Sequence, residues 1–152
     1  MRIGVAVGLL VAAAGLCRLA AQEREVTKSL VLEKGAVLAT PLRIRSSGIT
    51  IDGNGATLQG PGRSGEKASF TDAGITADGV SRVTLRNLRV RGFERGLDAR
   101  DGEGWRIENC DFSDNFHDPA FGWGENGQRG GIVLVRVQKS TLLNNRANRV
   151  WD

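Results

Sequence analysis

The sequence predicts an all-β solenoid, a parallel β-helix with three short strands per turn and about four turns. Two observations carry that expectation. A unit of about 22 residues recurs in phase, and each unit holds small alternating apolar patches instead of one amphipathic face. A third agrees with them: Gly or an Asn corner interrupts the mature chain before any 3.6-residue stripe can extend.

The chain opens on a segment that belongs to targeting. Arg2 precedes the apolar run Ile3 to Leu16, which is short for a bilayer span, and small residues at Ala20 and Ala21 offer a cleavage point before Gln22. Residues 1–21 read as a secretory signal peptide, which places the protein outside the cytoplasm, secreted or periplasmic. Of 21 Lys+Arg, Arg2 and Arg18 leave with it, so the excess over 17 Asp+Glu shrinks to two. No basic patch and no Tyr remain to suggest nucleic acid, and no membrane partner is expected after removal of the signal. Only Cys110 remains in the mature chain, which allows no internal disulfide. One His and one mature Cys make no metal constellation.

Residues 22–40 follow as an N-terminal covering segment, in which "SLVLEKGAVLAT" can lay an incomplete turn over the core. The coil itself spans 41–152. Its opening turn is "PLRIRSSGITIDGNGA", and three further lines start at Gly74, Gly96 and Gly131. Leu42/Ile44, Ile75/Ala77, Leu97/Ala99 and Ile132/Leu134 form the first patch. Ile49/Ile51, Val83/Leu85, Trp105/Ile107 and Ser140/Leu142 form the second. Asn54/Ala56, Leu88/Val90, Cys110/Phe112 and Asn145/Ala147 form the third. No patch folds alone, but stacked in register about 4.8 Å apart they bury a continuous column. Trp105 and Cys110 fall in phase with this core. Asn87, Asn109 and Asn144 recur two residues after the second patch, where a tight bend wants the left-handed conformation that Asn tolerates. Stacked amides could bond along that column, with Gly53 standing in for Asn in the opening turn. The chain stops at "NRVWD", where another first strand is due, so a C-terminally truncated coil or end-to-end stacking on a partner is expected.

The "GITIDGNGATLQG" turn, the G-[IL]-x-[AL] first strands, and "VTLRNLRV" and "WRIENCDF" with their Asn corners resemble the right-handed parallel β-helix proteins of the pectate-lyase-like superfamily. The resemblance covers roughly Leu30 to the end. It implies the fold well and the activity poorly, because that superfamily holds lyases, glycoside hydrolases, epimerases, adhesins and copper-loading proteins. The "DD", "NTD", "GHG" and "RIK" signatures of polygalacturonase-type hydrolases are missing, as is the "RxPxxR" of pectate lyases. A lyase would imply a calcium ion, for which no ligand set is evident. His117 and Cys110 alone make copper loading improbable.

Two insertions, about 60–73 and 117–130, fall at the same corner, between the third strand of one turn and the first strand of the next. Only "GFERG" crosses that corner between them. Two walls with a low saddle, roughly 10 Å apart, would make a groove of sugar-chain width. The resemblance puts the substrate cleft on this edge. Thr76, Asp78, Asp98, Arg100 and Asp101 would floor it. Arg63, Lys67, Asp72, His117, Asp118, Trp123, Glu125 and Arg129 would wall it.

Each residue also has a plainer reading. Asp98 could be a solvated charge, while Asp78 and Asp101 sit in "DG" corners that turn chemistry explains. His117 could be a general base or make a structural hydrogen bond. Trp123 could stack on a sugar or pin its loop.

The function expected is binding of an acidic polysaccharide, with or without cleavage. A lyase would use Arg100, Arg129 or Lys67 to neutralise a uronate carboxylate and His117 as base. A hydrolase would pair Asp98 with Asp118 or Glu125 at about 5–5.5 Å or 6.5–9.5 Å. The competing class is a non-catalytic carbohydrate-binding or surface-structural solenoid.

Overall fold

A computed structural model describes residues 22–117 and 129–150. Among them the regular structure is β1 (Arg24–Val26), β2 (Leu30–Val31), β3 (Val37–Leu38), β4 (Leu42–Ile44), β5 (Thr50–Asp52), β6 (Thr57–Gln59), β7 (Ala73–Asp78), β8 (Thr84–Arg86), β9 (Arg89–Arg91), β10 (Arg95–Glu103), β11 (Arg106–Glu108), β12 (Gly130–Gln138) and β13 (Thr141–Leu143). A single 3-10 turn lies at Lys67–Ser69. No helix among the described residues is long and apolar enough to cross a membrane. The predicted signal peptide lies outside them.

Every pairing between these strands is parallel, and they build three sheets. The first runs β1-β4-β7-β10-β12, the second β13-β11-β8-β5-β2, and the third β3-β6-β9. Successive strands visit the three sheets in turn, the arrangement of a β-helix-like solenoid. The segment before the first full repeat joins all three, because β1 pairs with β4, β2 with β5 and β3 with β6.

The register of two sheets follows the repeat phase. Leu42, Ile75, Leu97 and Ile132 share one column, and Ile51, Leu85, Ile107 and Leu142 share another. Ile51, Leu85 and Ile107 are fully buried, whereas Leu142, in the last strand of its column, is 49% exposed. Trp105 lies in the core and donates its indole N–H to the Val80 carbonyl at 3.0 Å. Each inward side chain covers the one below it, so burial rests on stacking between turns.

The third sheet departs from the expected phase. Val90 pairs with Leu58, not Ala56, because the opening turn carries two extra residues at its second corner. That corner also corrects the role of Gly53. The left-handed residue there is Asn54 (φ 49°), followed by Gly55 (φ 77°); Asn87, Asn109 and Asn144 hold φ of 53–54° in later turns. Gly53 serves close approach instead, since a Cβ on it would lie 2.6 Å from the Asn87 carbonyl oxygen and the Leu88 Cα. The expected amide column is absent too. Among the described residues no bond joins the side chains of Asn87, Asn109 and Asn144. Asn87 donates to the Asp52 carboxylate at 3.1 Å, and the column is held by backbone, with Asn87 N–H on Glu108 O and Asn109 N–H on Leu143 O.

The other corners stack left-handed residues in the same way. Gly48, Arg82, Gly104 and Lys139 recur at one corner, and Gly79, Asp101 and Arg136 at another. Stacking places Arg136 over Asp101, and its guanidinium forks onto that carboxylate (Nη2–Oδ2 2.7 Å). Arg149 meets Asp114 likewise (Nη2–Oδ2 2.8 Å).

Candidate functional site

The site is built at the corner after the third strand of each turn. The first insertion does not stand away from the coil. Gly62 donates to the Gly92 carbonyl at 2.8 Å, and buried Phe70 closes on Gly62, where a Cβ would lie 2.2 Å from its ring. Ser69 ties the loop by accepting from Arg63 N at 2.8 Å and donating to Glu66 O at 2.6 Å.

This loop reaches across the short corner to the root of the second insertion. Ser64 Oγ lies 2.9 Å from His117 Nδ1, Gly65 donates to the His117 carbonyl at 3.3 Å, and Phe70 packs edge-on against Phe116 at 5.7 Å. The expected low saddle between separate walls is therefore bridged at its base. The physical reason is the apolar pair: Phe70 and Phe116 are both buried, and they meet only if the loop folds over.

His117, Ser64, Gln59, Arg91, Gly92 and Asp114 line a hollow of about 250 Å³ with Gly62 and Phe70. Sequence reasoning named His117 here and missed Ser64, Gln59, Arg91 and Asp114. Arg91 was legible as an outward position beside Val90 in "RVRG"; nothing marks Ser64, which arrives from 53 residues away. Arg91 Nε donates to Gln59 Oε1 at 2.8 Å. The Arg149 guanidinium holds the Asp114 carboxyl below its ordinary range. Beneath the corner, Asn115 is fully buried. Its Oδ1 accepts from Phe93 N at 3.1 Å, and its Nδ2 donates to Val90 O at 2.7 Å and Phe112 O at 2.8 Å.

The expected floor residues gather elsewhere, on the outward face of the first sheet. Thr76, Asp78, Asp98 and Arg100 line a hollow of about 160 Å³ with Arg43 and Arg45. It shares no lining residue with the His117 hollow. Asp98 is buried and gripped by Arg100 (Nε–Oδ1 2.8 Å, Nη2–Oδ2 3.1 Å), with Arg95 Nε 3.4 Å away. Arg100 is thus spent on Asp98. Arg129 is spent too, on Glu94 at 2.8 Å and over the Phe116 ring at 4.7 Å. Lys67 sits in the 3-10 turn of the first loop. Asp118, Trp123 and Glu125 lie outside the described residues.

A carboxyl general acid needs a raised pKa, while Asp101 and Asp114 are both held low, chiefly by Arg136 and Arg149. No group of three or more His, Cys, Asp or Glu among the described residues could hold a metal ion, so they do not fit the calcium site that a lyase would imply. Comparison with protein-family models, curated proteins and solved structures gave no match.

Proposed function

We propose that this is an extracytoplasmic right-handed parallel β-helix protein of pectate-lyase-like type that binds an acidic polysaccharide. The observation that carries the reading is the hollow of about 250 Å³ in which the Arg91 guanidinium and the His117 imidazole meet the hydroxyl of Ser64 and the amide of Gln59. A cation beside neutral donors suits a uronate carboxylate flanked by hydroxyls, and the Asp114 carboxylate in the same hollow is already paired with Arg149. Binding without cleavage is favoured, because Asp98, Asp101 and Asp114 are each engaged by arginine. A second reading, a polysaccharide lyase with His117 as base, is favoured by the presence of His117 and Arg91 in one hollow.

The test is retardation of the full chain in gels cast with polygalacturonate, alginate or a neutral glucan, with absorbance monitored for unsaturated ends. Retardation by the uronates alone is expected. Equal mobility in all gels would sink the reading, and new unsaturated ends lost in His117→Ala would select the lyase.

A further inference from the structure

The first sheet's outward face is self-neutralised. Arg43 pairs with Glu23 at 3.3 Å, Arg45 with Glu25 at 3.0 Å and Arg100 with Asp98 at 2.8 Å. On the second sheet Arg86 pairs with Asp52 at 2.8 Å and Arg106 with Glu108 at 2.6 Å. A polyanion reaching either face would have to displace carboxylates already seated on those guanidiniums.

The third sheet differs. Arg89 and Arg91 point outward from β9, flanking buried Val90, and both are exposed. Arg146 continues the Arg89 column through Asp111. Among the described residues no carboxylate makes an ion pair with any of the three. Their polar partners are neutral or absent: Arg91 holds Gln59, and Arg146 meets the Asn148 amide oxygen, once that amide is oriented toward it, at 2.9 and 3.0 Å, while Arg89 has none. Asp111, between Arg89 and Arg146, accepts from Ser113 N at 2.9 Å. Among the described residues none of the three guanidiniums is seated on a carboxylate, although Asp111 stands between Arg89 and Arg146 in the column and Asp114 acts on Arg91 at longer range.

The surface has the shape to match. Arg91 opens into the His117 hollow at one end of β9. At the other, Arg89 opens into a hollow of about 410 Å³ lined by the exposed corner amides of Asn87, Asn109 and Asn144 together with Asp111. Arg89 and Arg91 are about 7 Å apart along the strand, and Arg146 lies about 10 Å from Arg89 across two strand spacings. Extended anionic sugars present carboxylates on such a length scale, between hydroxyls that amides can bond.

We infer that the acidic polysaccharide lies on the third sheet, running along β9 from the Asn-lined corner to the His117 hollow, and not on the first sheet. This rests on the polysaccharide reading above. Wild-type protein, Arg89→Gln/Arg91→Gln, and the first-sheet control Arg43→Gln/Arg45→Gln are titrated calorimetrically with an oligogalacturonate at low salt. A neutral oligosaccharide and a single-stranded DNA of equal charge serve as comparison ligands. The β9 variant should lose roughly tenfold or more in affinity, with a shallower salt dependence, and the control should stay within about twofold. Circular dichroism confirms that both variants fold. Wild-type binding that the β9 variant retains, or that the control loses equally, overturns the assignment of the face alone. Failure of the wild type to bind the uronate, or preference for DNA, overturns the polysaccharide reading and this inference with it.

Discussion

Asn115 should be the most costly polar side chain to remove from this coil. It is fully buried and spends its amide on three backbone groups, Phe93 N–H, Val90 C=O and Phe112 C=O. Asn115→Ala strands the Phe93 N–H, at about 1–3 kcal/mol for an unpaired buried donor, and loses two bonds to carbonyls at about 1 kcal/mol each. The sum is roughly 3–5 kcal/mol, a fall of about 8–15 °C in Tm for a chain of this size. Urea unfolding followed by tryptophan fluorescence measures it. Asn115→Leu keeps the branched shape but none of the bonds and should be nearly as unstable. Asn115→Asp faces two carbonyls with a carboxylate, so its deficit should grow as pH rises above the ordinary carboxyl pKa and ease in acid. An Asn115→Ala variant within about 1 kcal/mol of wild type would refute the reasoning. The stake is functional, because Phe93 and Val90 flank the corner that places Arg91 and His117.

Two further outcomes follow from the corners and the core. Gly53→Ala drives a methyl into the next turn's backbone and should cost about 3 kcal/mol or more. Gly55→Ala, with open space but φ 77°, should cost about 1–2 kcal/mol; equal urea midpoints would contradict this corner geometry. Burial pushes the Cys110 thiol up to about 11. The folded state therefore holds the proton more tightly than the unfolded one, and this contribution to stability is whole below about pH 9. It is lost as pH rises toward 11, at roughly 2–3 kcal/mol in total. Cys110→Ala should flatten that alkaline fall, and native Cys110 should resist thiol reagents at pH 8; rapid labelling without denaturant would count against the buried position.

The repeat phase was legible because it is a property of spacing. An inward residue every second position, returning after 22 or about 35 residues, is written directly in Leu85, Ile107 and Leu142. So was the core placement of Trp105. The sequence also located the Asn corners, since the left-handed requirement falls on one residue at a time. Three things needed the third dimension. Gly53 was misread because close approach between turns, unlike a positive φ, leaves no local signal. The contact between the first loop and the root of the second was not legible, because Phe70 and Phe116, 46 positions apart, meet only in the fold. Charge compensation was hidden altogether: Arg43, Arg89 and Arg100 are equal as letters, and only stacking decides whether a carboxylate or a neutral amide stands beside each. Spacing determined the coil by itself. Tertiary structure decided which arginines are ion-paired and which are not, because ion pairing depends on distance across turns rather than along the chain.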